Sequence, residues 1–279
     1  MITMRLIGGL GNQMFQYAAA RSLAKLNNTN VMLDLSWFNQ EFDTSTTTPR
    51  HYELTCFRLD ATTEKDRSTT LQKLRLRRAK KYTEPHFHYD VNFTKLPKNT
   101  VLNGYFQSEK YFSGIREILL QDFSWMKEPQ GMNKDLLEQI TSDASSVSVH
   151  VRRGDYVSNK NAAKFHGLTG VEYYKAAVKE MTKHVKKPNL YVFSDDPEWC
   201  EKNLKFTQTT TYVSHNTDGS EDMRLMKNCK HNIIANSSFS WWGAWLNNNP
   251  GKIVIAPKQW FSHSESNTND VIPDLWQKL

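Results

Sequence analysis

The sequence predicts an α/β fold with two β/α halves and a cleft between them. Three observations lead to this prediction. Apolar strands alternate with amphipathic helices in both halves of the 279-residue chain, which is the order of a parallel sheet covered by helices. A glycine-rich turn, Gly8–Met14, joins the first strand to the first helix. A polar region with a Pro-x-Gly breaker, 126–146, separates the two alternations.

The N-terminal half begins with a β-α-β pattern. MRLIGG (4–9) and NVMLDL (30–35) are predicted strands, and the apolar spacing over 12–26 predicts a helix between them. Residues 41–70 are polar, Thr-rich and irregular. The basic segment KLRLRRAKK (73–81) is expected to be a short helix or turn.

The C-terminal half repeats the alternation. Strands are predicted at 147–151, 189–194, 231–236 and 251–257, and helices at 171–185, 220–229 and 238–247. Asp196 before Pro197 is typical of a helix start, and Thr169 with Glu172 has the spacing of a capping box. We expect an N-terminal domain over residues 1–130 and a C-terminal domain over residues 131–279.

Composition narrows the class of protein. Hydrophobic residues make up 38% of the chain, enough for a buried core, and 36 basic against 29 acidic residues give a net charge of +7. That charge suits an anionic ligand or an anionic membrane surface. A polyanion or nucleic-acid binder is disfavoured because the charge is dispersed and no nucleic-acid motif is present. The basic segment could also support peripheral contact with an anionic membrane.

Cysteine usage and hydropathy predict the compartment. Cys56, Cys200 and Cys229 form no CxxC pair, and an odd number argues against a disulfide framework. No apolar run reaches signal-peptide or membrane-span length. We therefore expect a cytoplasmic protein without a membrane span. No His/Cys/Asp cluster has metal-ligand spacing, so no metal is expected.

The glycine turn GGLGNQM invites a nicotinamide oxidoreductase interpretation. Asp34, at the end of the next strand, lies about where a ribose-binding acid would be. The fingerprint is incomplete, because Met14 occupies the third glycine position. The simpler alternative is a tight turn in which Asn12 caps the helix.

HVRRGDY (150–156) places two arginines at the end of a predicted parallel strand, where open α/β sheets bind ligands. Arg152 and Arg153 point to opposite faces of an extended chain, so only one is expected to contact a phosphate directly. The other would order the loop or pair with Asp155. A solvated surface pair is the competing interpretation. An Arg-Gly-Asp adhesion tripeptide is disfavoured by the strand-end position.

NSSFSWWGAWL (236–246) supplies a second anion-ready helix start. Asn236, Ser237 and Ser238 offer hydroxyls and backbone N–H groups there, although ordinary capping is the alternative. Together with the arginines, these residues favour a nucleoside-diphosphate site. Asp222 would either favour a helix dipole or accept two N–H groups from a guanine.

The ordered motifs closely resemble those of the bacterial α-1,2-fucosyltransferases of glycosyltransferase family eleven. They are GGLGNQMFQYAAARSLA, GYFQSEKYF, HVRRGDY, FSDDPEWC and NSSFSWWGAWL. Single motifs are shared with α-1,6- and protein O-fucosyltransferases. The resemblance implies a GT-B-like fold with two Rossmann-type β/α/β halves facing a cleft. It implies GDP-β-L-fucose as donor, inversion to an α-fucoside and no metal. The implied acceptor is the 2-hydroxyl of a terminal β-galactoside in an oligosaccharide or lipid-linked surface glycan, such as an O-antigen.

The resemblance also assigns roles to residues. It gives Arg152 the β-phosphate of GDP, Arg153 a supporting role and Asp222 the guanine, and it leaves Asp195-Asp196 a structural or ribose-side role. The donor-binding residues expected on this basis are Asn12, His150, Arg152, Arg153, Asp222, Asn236, Ser237 and Ser238.

The general base is not transferred by the resemblance. The glutamate that serves in α-1,6 relatives corresponds here to Lys160. The candidates are Asp155, His166 and Asp34, in that order, while Arg152 would act catalytically on the leaving group.

The acceptor is expected against the N-terminal half. Tyr105, Phe106 and Gln107 offer a stacking surface and an amide, with His51 and Tyr52 as further candidates. For Tyr105 and Phe106 a core turn is the favoured alternative. Another inverting transferase, with a different GDP-sugar or acceptor position, stays open. The sequence makes no prediction about oligomeric state.

Overall fold

The computed structural model describes residues 1–41, 49–63, 78–153, 169–261 and 267–279. The chain divides into two compact units. Unit 1 comprises Met1–Lys127 with Glu265–Pro273, and unit 2 comprises Glu128–Ser264 with Asp274–Leu279. The expected ranges, 1–130 and 131–279, differ from this division at the boundary and at the late return of the chain to unit 1. That return is short and has no periodic apolar pattern, although it buries Val271 and Ile272.

Unit 1 contains a parallel five-stranded sheet. Its elements are β1 Ile2–Arg5, α1 Leu10–Leu26, β2 Val31–Asp34, β3 Thr62–Thr63, β4 Lys80–Thr83, β5 Thr100–Asn103 and α2 Arg116–Asp122. The strand order is β3-β2-β1-β5-β4, and every pair is parallel. The expected β-α-β start is confirmed.

Strand β4 corrects the prediction for the basic segment. Lys80 and Lys81 were expected in a helix or turn but lie in this edge strand, with both side chains exposed. Lysine on an edge strand discourages pairing with other chains. Because the charged residues interrupt the apolar pattern that predicts a strand, β4 was not recognised from the sequence. Residues 73–77 lie outside the described part of the chain.

Helix α1 begins two residues earlier than predicted. Gly9 is the N-cap, and its carbonyl accepts the N–H groups of Asn12 at 3.0 Å and Gln13 at 3.1 Å. Asn12 is therefore inside the first turn, and the prediction that it caps the helix is wrong.

Unit 2 contains a parallel six-stranded sheet. Its strands are β6 Ser146–Val151, β7 Asn189–Ser194, β8 Thr210–Val213, β9 His231–Ile233, β10 Val254–Ala256 and β11 Gln277–Lys278. Their order is β11-β10-β9-β6-β7-β8. The helices are α3 Met132–Ser142, α4 Val171–Met181, α5 Pro197–Asn203, α6 Gly219–Asn228 and α7 Ser238–Leu246.

The core of unit 2 surrounds β6, all of whose residues are buried. Helices α6 and α7 approach closely because Gly243 has no side chain, since a Cβ there would lie 2.9 Å from Cε of Met226. Trp241, Trp242 and Trp245 of the same helix are buried and belong to the core. Within the described residues, no helix is long and apolar enough to cross a lipid bilayer.

Candidate functional site

The sheet of unit 2 brings three sequence motifs to one edge. Val151 pairs with Ser194 across β6 and β7, and Val149 pairs with Ile233 across β6 and β9. Because these strands are parallel, the residues that follow them emerge at the same carboxyl edge. The Arg152-Arg153 pair follows β6, the Asp195-Asp196 pair follows β7, and the Asn236–Ser238 segment follows β9.

Asp195 holds the first arginine in place. Its Oδ2 lies 2.8 Å from Nη1 of Arg152, and its Oδ1 accepts the backbone N–H of Arg153 at 2.8 Å. The side chains of Arg152 and Asp195 are 22% and 25% exposed, so solvent still reaches the pair. One carboxylate thus fixes the guanidinium and the peptide that follows it.

The second arginine is held by different contacts. Nε of Arg153 lies 3.2 Å from Oδ2 of Asp196, and its guanidinium carbon lies 3.7 Å from the centre of the Trp199 ring. This is a cation–π geometry. Asp196 also caps α5, as predicted, because its Oδ1 accepts the backbone N–H of Trp199 at 3.2 Å.

The pairing of the two aspartates with the two arginines was not predicted from sequence. The signal was available, because both pairs directly follow strands that the alternation places in one parallel sheet. We call Arg152, Arg153, Asp195 and Asp196 the arginine cluster.

His150 is buried at the end of β6, with its ring centre 5.2 Å from that of Phe239 in α7. Burial lowers its pKa to about 3, helped by the nearby charge of Arg152 and opposed by Asp195. The imidazole is therefore neutral at physiological pH and adds no positive charge to the arginine cluster. Its Nδ1 has no hydrogen-bond partner among the described residues.

The polar segment after β9 is tied into the fold. Oδ1 of Asn236 accepts the hydroxyl of Thr169 at 2.8 Å, and its Nδ2 donates to the carbonyl of Trp260 at 3.3 Å. Gly170 rather than Thr169 is the N-cap of α4, so the expected capping box is wrong. The Thr169 hydroxyl is used for a contact between loops instead.

Ser237 is the N-cap residue of α7, and Ser238 is the first residue of that helix. The Ser237 side chain makes no capping hydrogen bond to the helix, while its carbonyl accepts the N–H of Trp241 at 3.0 Å. The helix start therefore lies beside the arginine cluster at the carboxyl edge of the sheet.

Asp222, in the first turn of α6, ends a chain of polar side chains. Its Oδ1 accepts from Nδ2 of Asn216 at 2.7 Å, and Oδ1 of Asn216 accepts from Nδ2 of Asn133 at 2.7 Å. Nε2 of His215 lies 2.8 Å from Oδ1 of Asn133. Burial raises the pKa of Asp222 to about 6, and the Asn216 hydrogen bond opposes the shift. These hydrogen-bonded side chains fix the orientation of the Asp222 carboxylate.

In unit 1, the glycine loop (Gly8–Met14) is held by side-chain amides. Gly8 has a φ of 77°, and a Cβ there would lie 2.7 Å from Nδ2 of Asn12. Oδ1 of Asn12 accepts from Nε2 of Gln107 at 2.8 Å. Gln13, fully buried, donates to the carbonyls of Gly8 and His51 at 2.8 Å each and accepts the N–H of Glu53 at 2.9 Å. The unusual amides at this helix start thus join three loops.

The acceptor-side candidates separate into core and surface. Phe106 is fully buried, so the favoured interpretation of a core turn is confirmed for this residue, and it offers no stacking surface. Its neighbour Tyr105 is 38% exposed. Glu84, which no motif singled out, accepts the backbone N–H groups of both residues. It escaped prediction because the turn that surrounds it is about twenty residues away in sequence.

The base candidates have different outcomes. Asp155 and His166, and also Lys160, lie outside the described residues. Asp34 ends β2, and its Oδ1 accepts the N–H of Ser36 at 2.8 Å in the following turn. Over the described ranges, no group of three His, Cys, Asp or Glu side chains is arranged to hold a metal ion.

Comparison with known sequences identifies the relatives of this chain. The family described as Glycosyl transferase family 11 matches residues 1–278. The O-antigen biosynthesis glycosyltransferase WbnK of Escherichia coli is 36% identical over 98% of this chain and 99% of its own length. An α-1,2-colitosyltransferase of Escherichia coli is 35% identical over 100% of this chain and 98% of its own length. The mouse galactoside 2-α-L-fucosyltransferase Sec1 is 27% identical over 88% of this chain and 64% of its own length.

Solved structures show the same fold. NodZ α-1,6-fucosyltransferase soaked with GDP-fucose matches 90% of this chain and 96% of its own, with a TM-score of 0.51 and 15% identity. POFUT1 in complex with GDP-fucose matches 91% of this chain and 97% of its own, with a TM-score of 0.52 and 11% identity. These likenesses confirm the predicted fold class, which is α/β and GT-B-like with two Rossmann-type halves.

Proposed function

The chain belongs to glycosyltransferase family 11, and we propose that it transfers L-fucose from GDP-β-L-fucose to the 2-hydroxyl of a terminal β-galactoside. The observation that carries this proposal is the arginine cluster. An oriented guanidinium, Arg152, lies at the carboxyl edge of a parallel sheet and is held by Asp195 at 2.8 Å. That is the edge at which α/β folds bind phosphorylated ligands.

The donor nucleotide is assigned to unit 2. Arg152 would bind the diphosphate, because a guanidinium gives phosphate a planar, charge-assisted contact. The start of α7 at Ser238 would add backbone N–H groups and the positive end of a helix dipole. Asp222 would accept the N1–H and the amino group of guanine, which no adenine nucleotide offers together. The first two contacts would hold any nucleoside diphosphate, and the Asp222 contact would select GDP among them.

The reaction places its charge on the leaving group. As the bond between fucose C1 and the β-phosphate oxygen breaks, negative charge grows on GDP. Arg152, already oriented by Asp195, would stabilise that charge without reorganising. The acceptor hydroxyl would attack from the opposite face of C1, which inverts the donor β-linkage to an α-fucoside. We assign no metal to this chemistry, and GDP-fucose is the donor substrate rather than a resident cofactor.

Transfer of colitose is the second candidate function. The relative named α-1,2-colitosyltransferase is aligned over 100% of this chain. Colitose is fucose without its 3-hydroxyl, so the two donors carry the same leaving group and differ at one position of the sugar. The arginine cluster would serve both donors equally, and only contacts to the sugar would separate them.

A transfer assay on a panel of β-galactosides tests the proposal. The purified chain is incubated with GDP-fucose and each acceptor in excess EDTA, and the product linkage is determined by NMR. We expect an α-1,2-fucosylated galactoside and no loss of rate with EDTA. Activity lost in EDTA and restored by added metal would contradict the metal-independent assignment. GDP-colitose in place of GDP-fucose distinguishes the second candidate, which predicts faster transfer of colitose. Absence of transfer from both donors would contradict both candidates.

A further inference from the structure

A carboxylate outside every recognised motif lies at the carboxyl edge of the unit 1 sheet. The backbone N–H of Glu84 donates to the carbonyl of Asn103 at 2.8 Å, which continues the pairing of β4 with β5 by one step. The glycine loop leaves β1 at the same edge, because Gln16 joins the N–H of Ile7 to the carbonyl of Gly104. Glu84 therefore shares with the glycine loop the edge at which α/β sheets bind ligands.

The turn after β5 is built around this side chain. Oε2 of Glu84 accepts the N–H of Tyr105 at 2.8 Å, and Oε1 accepts the N–H of Phe106 at 3.0 Å. Gly104 has a φ of 154°, and a Cβ on it would lie 2.4 Å from Cβ of Glu84. Phe106 adopts a φ of 54°, which is unfavourable for a side chain of this size. Backbone strain of this kind is characteristic of functional sites.

The protonation of Glu84 is suited to proton transfer. Burial raises the pKa of Glu84 to about 7, although the two backbone N–H groups and nearby His86 lower it. Besides His86, the ionisable groups that interact with it are the phenols of Tyr82, Tyr105 and Tyr111. No lysine or arginine among the described residues forms an ion pair with it.

The neighbours of Glu84 suit a sugar. Tyr105 is 38% exposed as a whole residue, and its ring can cover the apolar face of a pyranose. Gln107 ends the same turn, and its amide is hydrogen-bonded to Asn12 of the glycine loop at 2.8 Å. Beside this ring, side-chain amides and a carboxylate can form hydrogen bonds to several sugar hydroxyl groups. All these groups belong to unit 1.

We propose that Glu84 is the general base that deprotonates the acceptor hydroxyl. This inference rests on the proposed function. The hydroxyl O–H bond breaks, and its proton moves to a carboxylate oxygen of Glu84. The electron pair of the sugar oxygen forms the new bond to C1 of the donor sugar. The bond from C1 to the β-phosphate oxygen breaks, and its electron pair leaves with GDP. The sequence-based candidates Asp155, His166 and Asp34 then have no base role.

The test is the variant Glu84→Gln. An amide oxygen in the place of Oε2 can accept the N–H groups of both Tyr105 and Phe106, as Oε2 does at 2.8 and 3.1 Å, but the side chain cannot take a proton. A general base contributes about 10²–10⁴-fold, so we expect kcat to fall at least 100-fold while GDP affinity stays within twofold. We also expect the acidic limb of the pH profile of kcat, near pH 7 in the wild type and measured at saturating GDP-fucose so that Asp222 protonation does not contribute, to disappear.

Asp90→Asn is the matched control. Asp90 is another unit 1 carboxylate that holds a turn, accepting the N–H of Asn92 at 2.9 Å and the hydroxyl of Tyr82 at 2.7 Å. Its loss should leave the acidic limb in place. Thermal unfolding of both variants in the presence of GDP reports on folding separately from chemistry.

The outcomes separate this inference from the proposed function. If the wild type transfers the sugar and Glu84→Gln keeps an unchanged acidic limb, the base assignment is overturned and the proposed function stands. The same holds if Asp155→Asn, rather than Glu84→Gln, removes that limb. Absence of transfer from the wild type would overturn both.

Discussion

The glycine loop of unit 1 and the arginine cluster of unit 2 occupy equivalent places, since each follows a central strand of a parallel sheet. They differ in what holds them. In the glycine loop, uncharged amides such as Gln13 bond mainly to the backbone of neighbouring loops. In the arginine cluster, opposite charges bond to each other, as Arg152 does to Asp195. The first arrangement fixes the shape of a loop, whereas the second orients a cation.

The energetics of the two regions differ accordingly. Removal of a buried side-chain amide leaves its backbone partners without a hydrogen bond, and each unsatisfied group costs about 1–3 kcal/mol. A partly exposed ion pair contributes only about 0–1 kcal/mol to folding. Substitutions in the glycine loop should therefore act mainly on stability, while those in the arginine cluster should act mainly on catalysis.

The largest effect is expected for Arg152→Ala. Loss of one preorganised contact to the leaving group should lower kcat by about 10²–10³-fold, or about 2.7–4 kcal/mol. The free energy of unfolding should fall by no more than about 1 kcal/mol. Transfer assays and urea unfolding measure the two quantities. A variant with near-normal turnover, or one that fails to fold, would contradict the contrast between the two regions.

An intermediate effect is expected for Gln13→Leu. It removes one hydrogen-bond partner each from the carbonyls of Gly8 and His51 and the N–H of Glu53, which lie in a partly buried region. We expect a loss of about 2–4 kcal/mol in the free energy of unfolding, measured by urea denaturation. Gln121→Leu on α2, where the side chain is exposed, is the matched control. Equal stability of the two variants would show that the amides are not structural.

The smallest effect is expected for the pH dependence of GDP binding, which tests the role of Asp222. The pKa of Asp222, about 6, lies above the ordinary value for an aspartate. The carboxylate is therefore half protonated at pH 6 and largely protonated below it, and the protonated form cannot accept both guanine N–H groups. GDP affinity should then fall up to tenfold for each further pH unit. Isothermal titration calorimetry between pH 5 and pH 8 measures this. In Asp222→Asn, affinity should be lower and should lose this pH dependence. An unchanged profile in the variant would remove Asp222 from guanine recognition.

Local patterns predicted the parts of the fold that depend on local sequence. Strand β7 was predicted to the residue, at Asn189–Ser194, because it is a short apolar run bounded by turn residues. The start of α5 was predicted from Asp196 before Pro197. In both cases the neighbouring residues alone determine the structure.

Features that depend on distant residues were missed. Strand β4 was missed because its lysines face solvent at a sheet edge. The ion pair of Arg152 with Asp195 depends on the register of two strands that are separated by a helix. Glu84 acquires its unusual pKa only when the turn after β5 surrounds it. The proposed donor-binding residues were recognisable because they lie in motifs, whereas the proposed base lies in none.

The late return of the chain to unit 1 has an evolutionary consequence. Val271 and Ile272 are buried in a unit whose other residues end at Lys127. The gene segment that encodes unit 2 therefore also encodes part of unit 1. A single recombination crossover between homologous genes would combine core residues of unit 1 from two parents. Exchange of the whole of unit 1 by recombination therefore requires a further crossover before the codon of residue 265.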